Sequence, residues 1–159
     1  MASSPPAVLA FAASDPTGGA GLQADLLTIA SFGCHPLSVL TALTVQDTRG
    51  VESVQAVESA WVERQARCVL EDIPVAAFKL GVLGSARNAQ AIAAILSEYP
   101  RAAVVLDPVL ASALAALLAK GVAVEPAVRQ AQEYTWQSLA AGYSPGRGQS
   151  IPNRFFESQ

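Results

Sequence analysis

Four short apolar runs, at residues 7–14 (AVLAFAAS), 37–45 (LSVLTALTV), 78–83 (FKLGVL) and 102–110 (AAVVLDPVL), are separated by longer segments of helical period. This alternation constrains the chain more than any other feature. Continuous apolar character over less than ten residues fits strands covered on both faces, and such strands belong to parallel sheets joined by helical crossovers. Helices are expected over 20–32, 59–72, 85–98, 111–120 and 126–141. In the first, Leu22, Leu26 and Ile29 share a face and Gly33 stands as a C-terminal stop; Ser59 and Ser85 are candidate N-caps, and Pro126 suits a first turn. The order β-α-β-α-β-α-β-α-α predicts an α/β fold of three layers, a parallel sheet with helices on both faces. Ligands of such sheets bind beyond the carboxyl ends of the strands, here near Asp15, Gln46, Gly81 and Asp107.

With 159 residues, one domain is expected. Apolar residues make up 52% and charged residues 14%, which excludes disorder, and a net charge of -3 without a Lys/Arg cluster argues against nucleic-acid or acidic-membrane partners. Small molecules or protein are the expected partners. Cys34 and Cys68 are too few for a disulfide framework or a zinc knuckle and read as small buried residues. His35, before a proline at a strand entrance, reads as a loop residue rather than a base. No apolar run is long enough to span a bilayer and the first residues lack a basic start, so a cytoplasmic protein is expected.

The stretch SDPTGGAGLQAD, residues 14–25, lies between the first strand and the first helix. Three readings stand side by side. GAGLQA (19–24) fits a dinucleotide fingerprint with Asp47 as the acid for a ribose, although the turn is long for that motif. A P-loop is excluded, because Lys79 and Lys120 are the only lysines and neither follows such a loop. The glycines can also serve only a tight turn and a close helix–sheet contact. Asp25 falls at the edge of the expected buried face of the helix and needs a partner there. Gln46, at the end of the next strand, faces the same crevice, and a carboxylate beside a carboxamide can read an amine next to a ring nitrogen, the pattern of an aminopyrimidine.

Together, SDPTGGAGLQADLLTIASFG, SVLTALTVQDTRGV, FKLGVL and VVLDPV resemble, in order, the motifs of the hydroxymethylpyrimidine kinase/phosphomethylpyrimidine kinase family, and PNRFF resembles its C-terminal ending. The resemblance implies a ribokinase-like fold. It also implies phosphoryl transfer from ATP, with magnesium, to 4-amino-5-hydroxymethyl-2-methylpyrimidine and then to its monophosphate, in thiamine biosynthesis. On this resemblance Asp25 and Gln46 hold the pyrimidine, Val109 and Gly81 belong to its pocket, and Ala13 stands where the family has a substrate-contacting glycine. Lys79 is either a substrate-side donor or a surface strand residue. Asp107 is either the acid near magnesium and the phosphates or a turn acid before Pro108. A pyridoxal kinase-like activity is a rival that SDPTGGAG and VQDTRG disfavour.

The phosphate end of that family does not follow DPV. No glycine occurs between Ser85 and Lys120, so the glycine-rich anion hole and its base are missing, and VLASALAALLAKG reads as a junction where an internal segment has been lost. The expected organisation is a single, truncated ribokinase-like domain: a substrate-side half over 1–110, helices over 111–142 joined directly to it, and a tail over 143–159. A sheet that has lost its neighbours is expected to self-associate, as a homo-oligomer or an aggregate. The bland alternative to a kinase is a non-catalytic pyrimidine-binding or subunit-pairing remnant.

Overall fold

The computed structural model describes residues 4–106 and 111–156, with the side chain of Ala111 excepted. Asp107, Val109 and the predicted end of the fourth strand lie outside the described residues. The elements are β1 (Ala7–Ala13), α1 (Gly21–Ser31), β2 (His35–Gln46), β3 (Val51–Ala56), α2 (Ser59–Asp72), β4 (Val75–Leu80), α3 (Ala86–Ser97), β5 (Ala103–Leu106), α4 (Ala111–Ala119) and α5 (Val124–Ala140). Their sheet has the order β3-β2-β1-β4-β5.

β1 lies at the centre and every residue in it is buried, which accounts for its unbroken apolar run. Alternation divides it between two cores. Leu9 and Phe11 pack with Phe78 under α2 and α3, whose Val62, Ala66, Ile92 and Ile95 close that side. Val8 and Ala10 face α1 and α4, meeting Ile29, Ala115 and Ala116. α5 lies outside α4, against Ala113 and Leu117. The three layers are those expected, and no helix among the described residues is long and apolar enough to cross a membrane.

The sheet is not wholly parallel. β1 pairs in parallel with β2 and β4, and β4 with β5, but β3 returns antiparallel along β2. Sequence periodicity missed β3 because both of its faces are exposed over most of its length, so no burial imposes a period of two. Its turn is set by Asp47, whose Oδ1 accepts from the amides of Arg49 and Gly50 at 2.8 and 3.2 Å. This local role is an Asx turn, not the ribose contact of a dinucleotide site.

Other expectations are refined in the same way. Ser85 caps α3 by accepting from the Asn88 amide, whereas α2 is preceded by Glu58, which makes no side-chain cap, and Ser59 is already helical. Cys34 is buried but Cys68 is exposed, because it lies across α2 from the buried Val62 and Ala66. His35 is exposed at the start of β2, where its amide donates to Pro6. Asn88, fully buried, donates through Nδ2 to the carbonyls of Thr41, Val57 and Leu83 at 2.9–3.1 Å. It thereby ties the loops after β3 and β4 to β2.

At the far edge, β5 pairs with β4 and, among the described residues, with no strand on its other side. Val105 is buried toward α4, while Val104 and Leu106 point to the other face and are 47% and 73% exposed.

Candidate functional site

The glycine stretch folds into a turn organised by Asp15. Its Oδ1 accepts from the Thr17 amide and hydroxyl, both at 2.8 Å, and its Oδ2 accepts from the Ala20 amide at 2.7 Å. The Gly19 amide donates to Thr17 Oγ1 and the Gly18 amide to the Asp15 carbonyl. Gln23 closes the loop, accepting from the Asp15 amide at 2.8 Å and donating to Ser14 Oγ at 2.9 Å. The amides of residues 17–20 are therefore engaged within the turn, which removes the phosphate-cradle reading. Gly21 must be glycine: its φ is +59°, and a Cβ there would lie 2.6 Å from the Ala13 carbonyl oxygen. Ala13 is buried behind this contact rather than open to the crevice.

Burial alone would raise the Asp15 carboxyl above the ordinary value of 3.8, but the hydrogen bonds from Thr17 and Ala20 outweigh it and the net shift is downward. A depressed folded value contributes stability that is complete above the ordinary Asp value and is lost as pH falls through the folded one. Asp15→Asn is therefore expected to lower the urea midpoint at pH 7, with the difference from wild type narrowing below about pH 4. An equal difference at pH 7 and pH 3 would show that the carboxylate's charge is not what holds the turn.

Two hollows open at the carboxyl ends of the strands, on either side of Gly19 and Ala20. The first, about 230 Å³, is lined by Asp25, Lys79, Ser112 and Arg154 among others. The second, about 350 Å³, is lined by Asp15, Thr17, Gln46, Asp47 and residues 149–152 of the tail. Leu139 and Pro152 reach both.

In the first hollow the sequence expectation changes. The buried residues of α1 are Ala24, Asp25, Thr28 and Ile29, so Asp25 lies within the buried face rather than at its edge. Its Oδ2 accepts from Lys79 Nζ at 2.7 Å and its Oδ1 from Ser112 Oγ at 2.5 Å. The two charged side chains are 6% and 5% exposed, so Lys79 is not a surface residue of its strand. Gly81 makes room for this pair, since a Cβ there would lie 2.9 Å from Lys79 Nζ, and it lines neither hollow. Ser112 was not singled out by the sequence; the one hydroxyl in LASALAALLA was the available signal.

Arg154 also escaped the sequence reading except as part of PNRFF. Burial lowers the pKa of its guanidinium, with Asp25 and Asp15 among the charges opposing that shift. In the second hollow the Gln46 carboxamide lies beside the Asp15 carboxylate, and its hydrogen bond there helps hold that carboxyl below its ordinary value. Asp25 and Gln46, expected together on one ligand, thus line different hollows. Among the described residues no group of three His, Cys, Asp or Glu side chains is placed to hold a metal ion.

Comparison with known proteins agrees with this architecture. Residues 15–112 match the phosphomethylpyrimidine kinase family. The chain is 52% identical over 103 residues to the thiamine biosynthesis bifunctional protein ThiED of Geobacter sulfurreducens, covering 65% of this chain and 21% of that protein. It is 47% identical over 105 residues to the hydroxymethylpyrimidine/phosphomethylpyrimidine kinase of Streptomyces coelicolor, covering 66% of this chain and 39% of that enzyme. The matched part is thus well under half of either relative. An ADP complex of Bacillus subtilis pyridoxal kinase superposes with a TM-score of 0.91 over 98% of this chain and 99% of that one, at 16% identity, which is a likeness of fold. The matched region carries the glycine turn, Gln46 and the Asp25–Lys79 pair up to Ser112, and on that footing the chain belongs to the phosphomethylpyrimidine kinase family.

Proposed function

We propose that this chain binds an aminopyrimidine of the 4-amino-5-hydroxymethyl-2-methylpyrimidine class in the hollow lined by Gln46 and Asp15, and that phosphoryl transfer from ATP is at most residual. The observation that carries this reading is that the Gln46 carboxamide lines this hollow beside the Asp15 carboxylate, next to a turn whose amides are engaged. A carboxamide donates and accepts at once, which suits an amine beside a ring nitrogen. Asp25 acts from behind the wall, as an internal partner of Lys79 and Ser112. Asp107 and Val109, offered by the resemblance for the phosphate side and the pocket, lie outside the described residues. A cytoplasmic place of action is part of the same proposal. The pyridoxal alternative has less behind it, because the likeness to that kinase concerns fold alone.

Loss of an internal segment fits the family match ending at residue 112, inside the junction sequence. Phosphoryl transfer depends on positioned charge around the moving group. In this reading the missing segment held that charge, so the pyrimidine side outlives the chemistry. Calorimetric titration with 4-amino-5-hydroxymethyl-2-methylpyrimidine tests it: wild type binds, and Gln46→Ala weakens binding by about tenfold, the worth of one buried polar contact. Equal affinity of wild type and Gln46→Ala would place the ligand elsewhere.

The same loss bears on assembly. We propose that β5, which among the described residues stands at the edge of the sheet with Val104 and Leu106 exposed, drives self-association. Sedimentation velocity should show mass rising with concentration, and Leu106→Lys should reduce it. A monomer across the concentration range for both chains would contradict an adhesive edge.

A further inference from the structure

The glycine turn directs its amides inward to Asp15 and Thr17, which leaves the carbonyls of Gly18 and Gly19 facing outward. Backbone carbonyls outside a ladder need donors. Arg154, 135 residues further along the chain, supplies them: Nη2 donates to Gly19 O at 2.7 Å and Nη1 to Gly18 O at 3.3 Å. Nε of the same guanidinium donates to Thr28 Oγ1 at 3.1 Å, and Nη1 also reaches Pro152 O. One rigid fork therefore grips the turn before α1 and a residue two turns into α1. The segment bearing it is itself tied down. Tyr134 Oη donates to Arg154 O at 2.9 Å, the Asn153 amide donates to Ser138 O, and residues 143 and 151 form an antiparallel bridge. Ile151 then packs on Gly19, where a Cβ would lie 2.7 Å from its Cγ2.

Gly19 and Ala20 form the wall between the two hollows, and the Arg154 grip holds that wall in place. We infer that Arg154 is a positioning residue for the pyrimidine hollow, fixing the glycine turn and the start of α1 in the shape that receives the ligand. This rests on the pyrimidine reading above for its ligand, but not for its geometry. A lysine ammonium keeps the charge but lacks the planar fork whose separate nitrogens reach the two carbonyls and the hydroxyl, so the lysine variant separates a geometric role from a merely electrostatic one.

The test compares wild type, Arg154→Met, Arg154→Lys and Thr28→Val by calorimetry with 4-amino-5-hydroxymethyl-2-methylpyrimidine, well below each melting temperature, and by amide NMR of residues 17–21. Arg154→Met is expected to weaken binding about tenfold and to shift the Gly19 and Ala20 amide resonances; Arg154→Lys should recover only part of this, and Thr28→Val should lose about two- to threefold. Affinity within twofold of wild type for Arg154→Met, with unshifted resonances, overturns the inference, as does full recovery by lysine. A variant that melts earlier yet binds as wild type when folded also overturns it. If Arg154→Met does not fold, Thr28→Val decides by the same two readouts. If wild type binds no pyrimidine, the proposed function fails, and the amide shifts of Arg154→Met alone decide whether the grip holds the turn.

Discussion

Supplied with magnesium-ATP and 4-amino-5-hydroxymethyl-2-methylpyrimidine, the purified chain is expected to release ADP more than about a thousandfold below an ordinary enzymatic rate of about 1 per second. The transferring phosphoryl group gathers charge that only fixed donors and metal can stabilise, and loss of single donors already costs about 100- to 1,000-fold in well-studied oxyanion sites. Here the sequence holds no glycine between Ser85 and Lys120, so no glycine-rich loop stands there to supply such donors. The amides of the glycine turn before α1 are occupied by Asp15 and Thr17, so that turn cannot substitute. A coupled ADP-release assay at high protein concentration gives the rate. Turnover near 1 per second by the chain alone would mean that phosphoryl transfer here needs no glycine-rich donor loop.

Replacing Lys79 by methionine is expected to destabilise the fold by about 3–5 kcal/mol, because it leaves Asp25 buried and charged with Ser112 as its remaining partner among the described residues. For a domain of this size that corresponds to a melting temperature lower by roughly 10 °C. The cost comes from the orphaned carboxylate, not from the worth of the pair itself. Replacing both, as Lys79→Met with Asp25→Leu, should therefore recover most of the loss. Calorimetric melting of the two single variants and the double variant closes the cycle. Additive losses in the double variant would show that the two side chains act independently and that the 2.7 Å contact is not what holds them.

The layered fold was legible because burial writes itself into sequence. β1 is enclosed on both faces and reads as an unbroken apolar run, and Gly33, with φ +70°, ends α1 where a left-handed residue is needed. β3 was illegible for the converse reason, since its exposed faces impose no pattern. The residue types at the site could be read, but not their pairings. Asp25 was recognisable as an acid that needed a partner, yet nothing local shows that Lys79, 54 residues away, and Ser112, 87 residues away, supply it. Placing Asp25 with Gln46 on one ligand rested on both belonging to the same crevice, and the wall formed by Gly19 and Ala20 divides that crevice in two. Arg154 shows the same limit: its meaning lies in carbonyls 135 and 136 residues earlier.

The central claim is that the pyrimidine side of a family kinase persists here without its phosphate side. Paired calorimetric titrations of one preparation, with 4-amino-5-hydroxymethyl-2-methylpyrimidine and with magnesium-ATP, address both halves at once. The account predicts saturable binding of the pyrimidine and no magnesium-ATP binding in the micromolar range. Micromolar affinity for magnesium-ATP together with no detectable pyrimidine binding would contradict it.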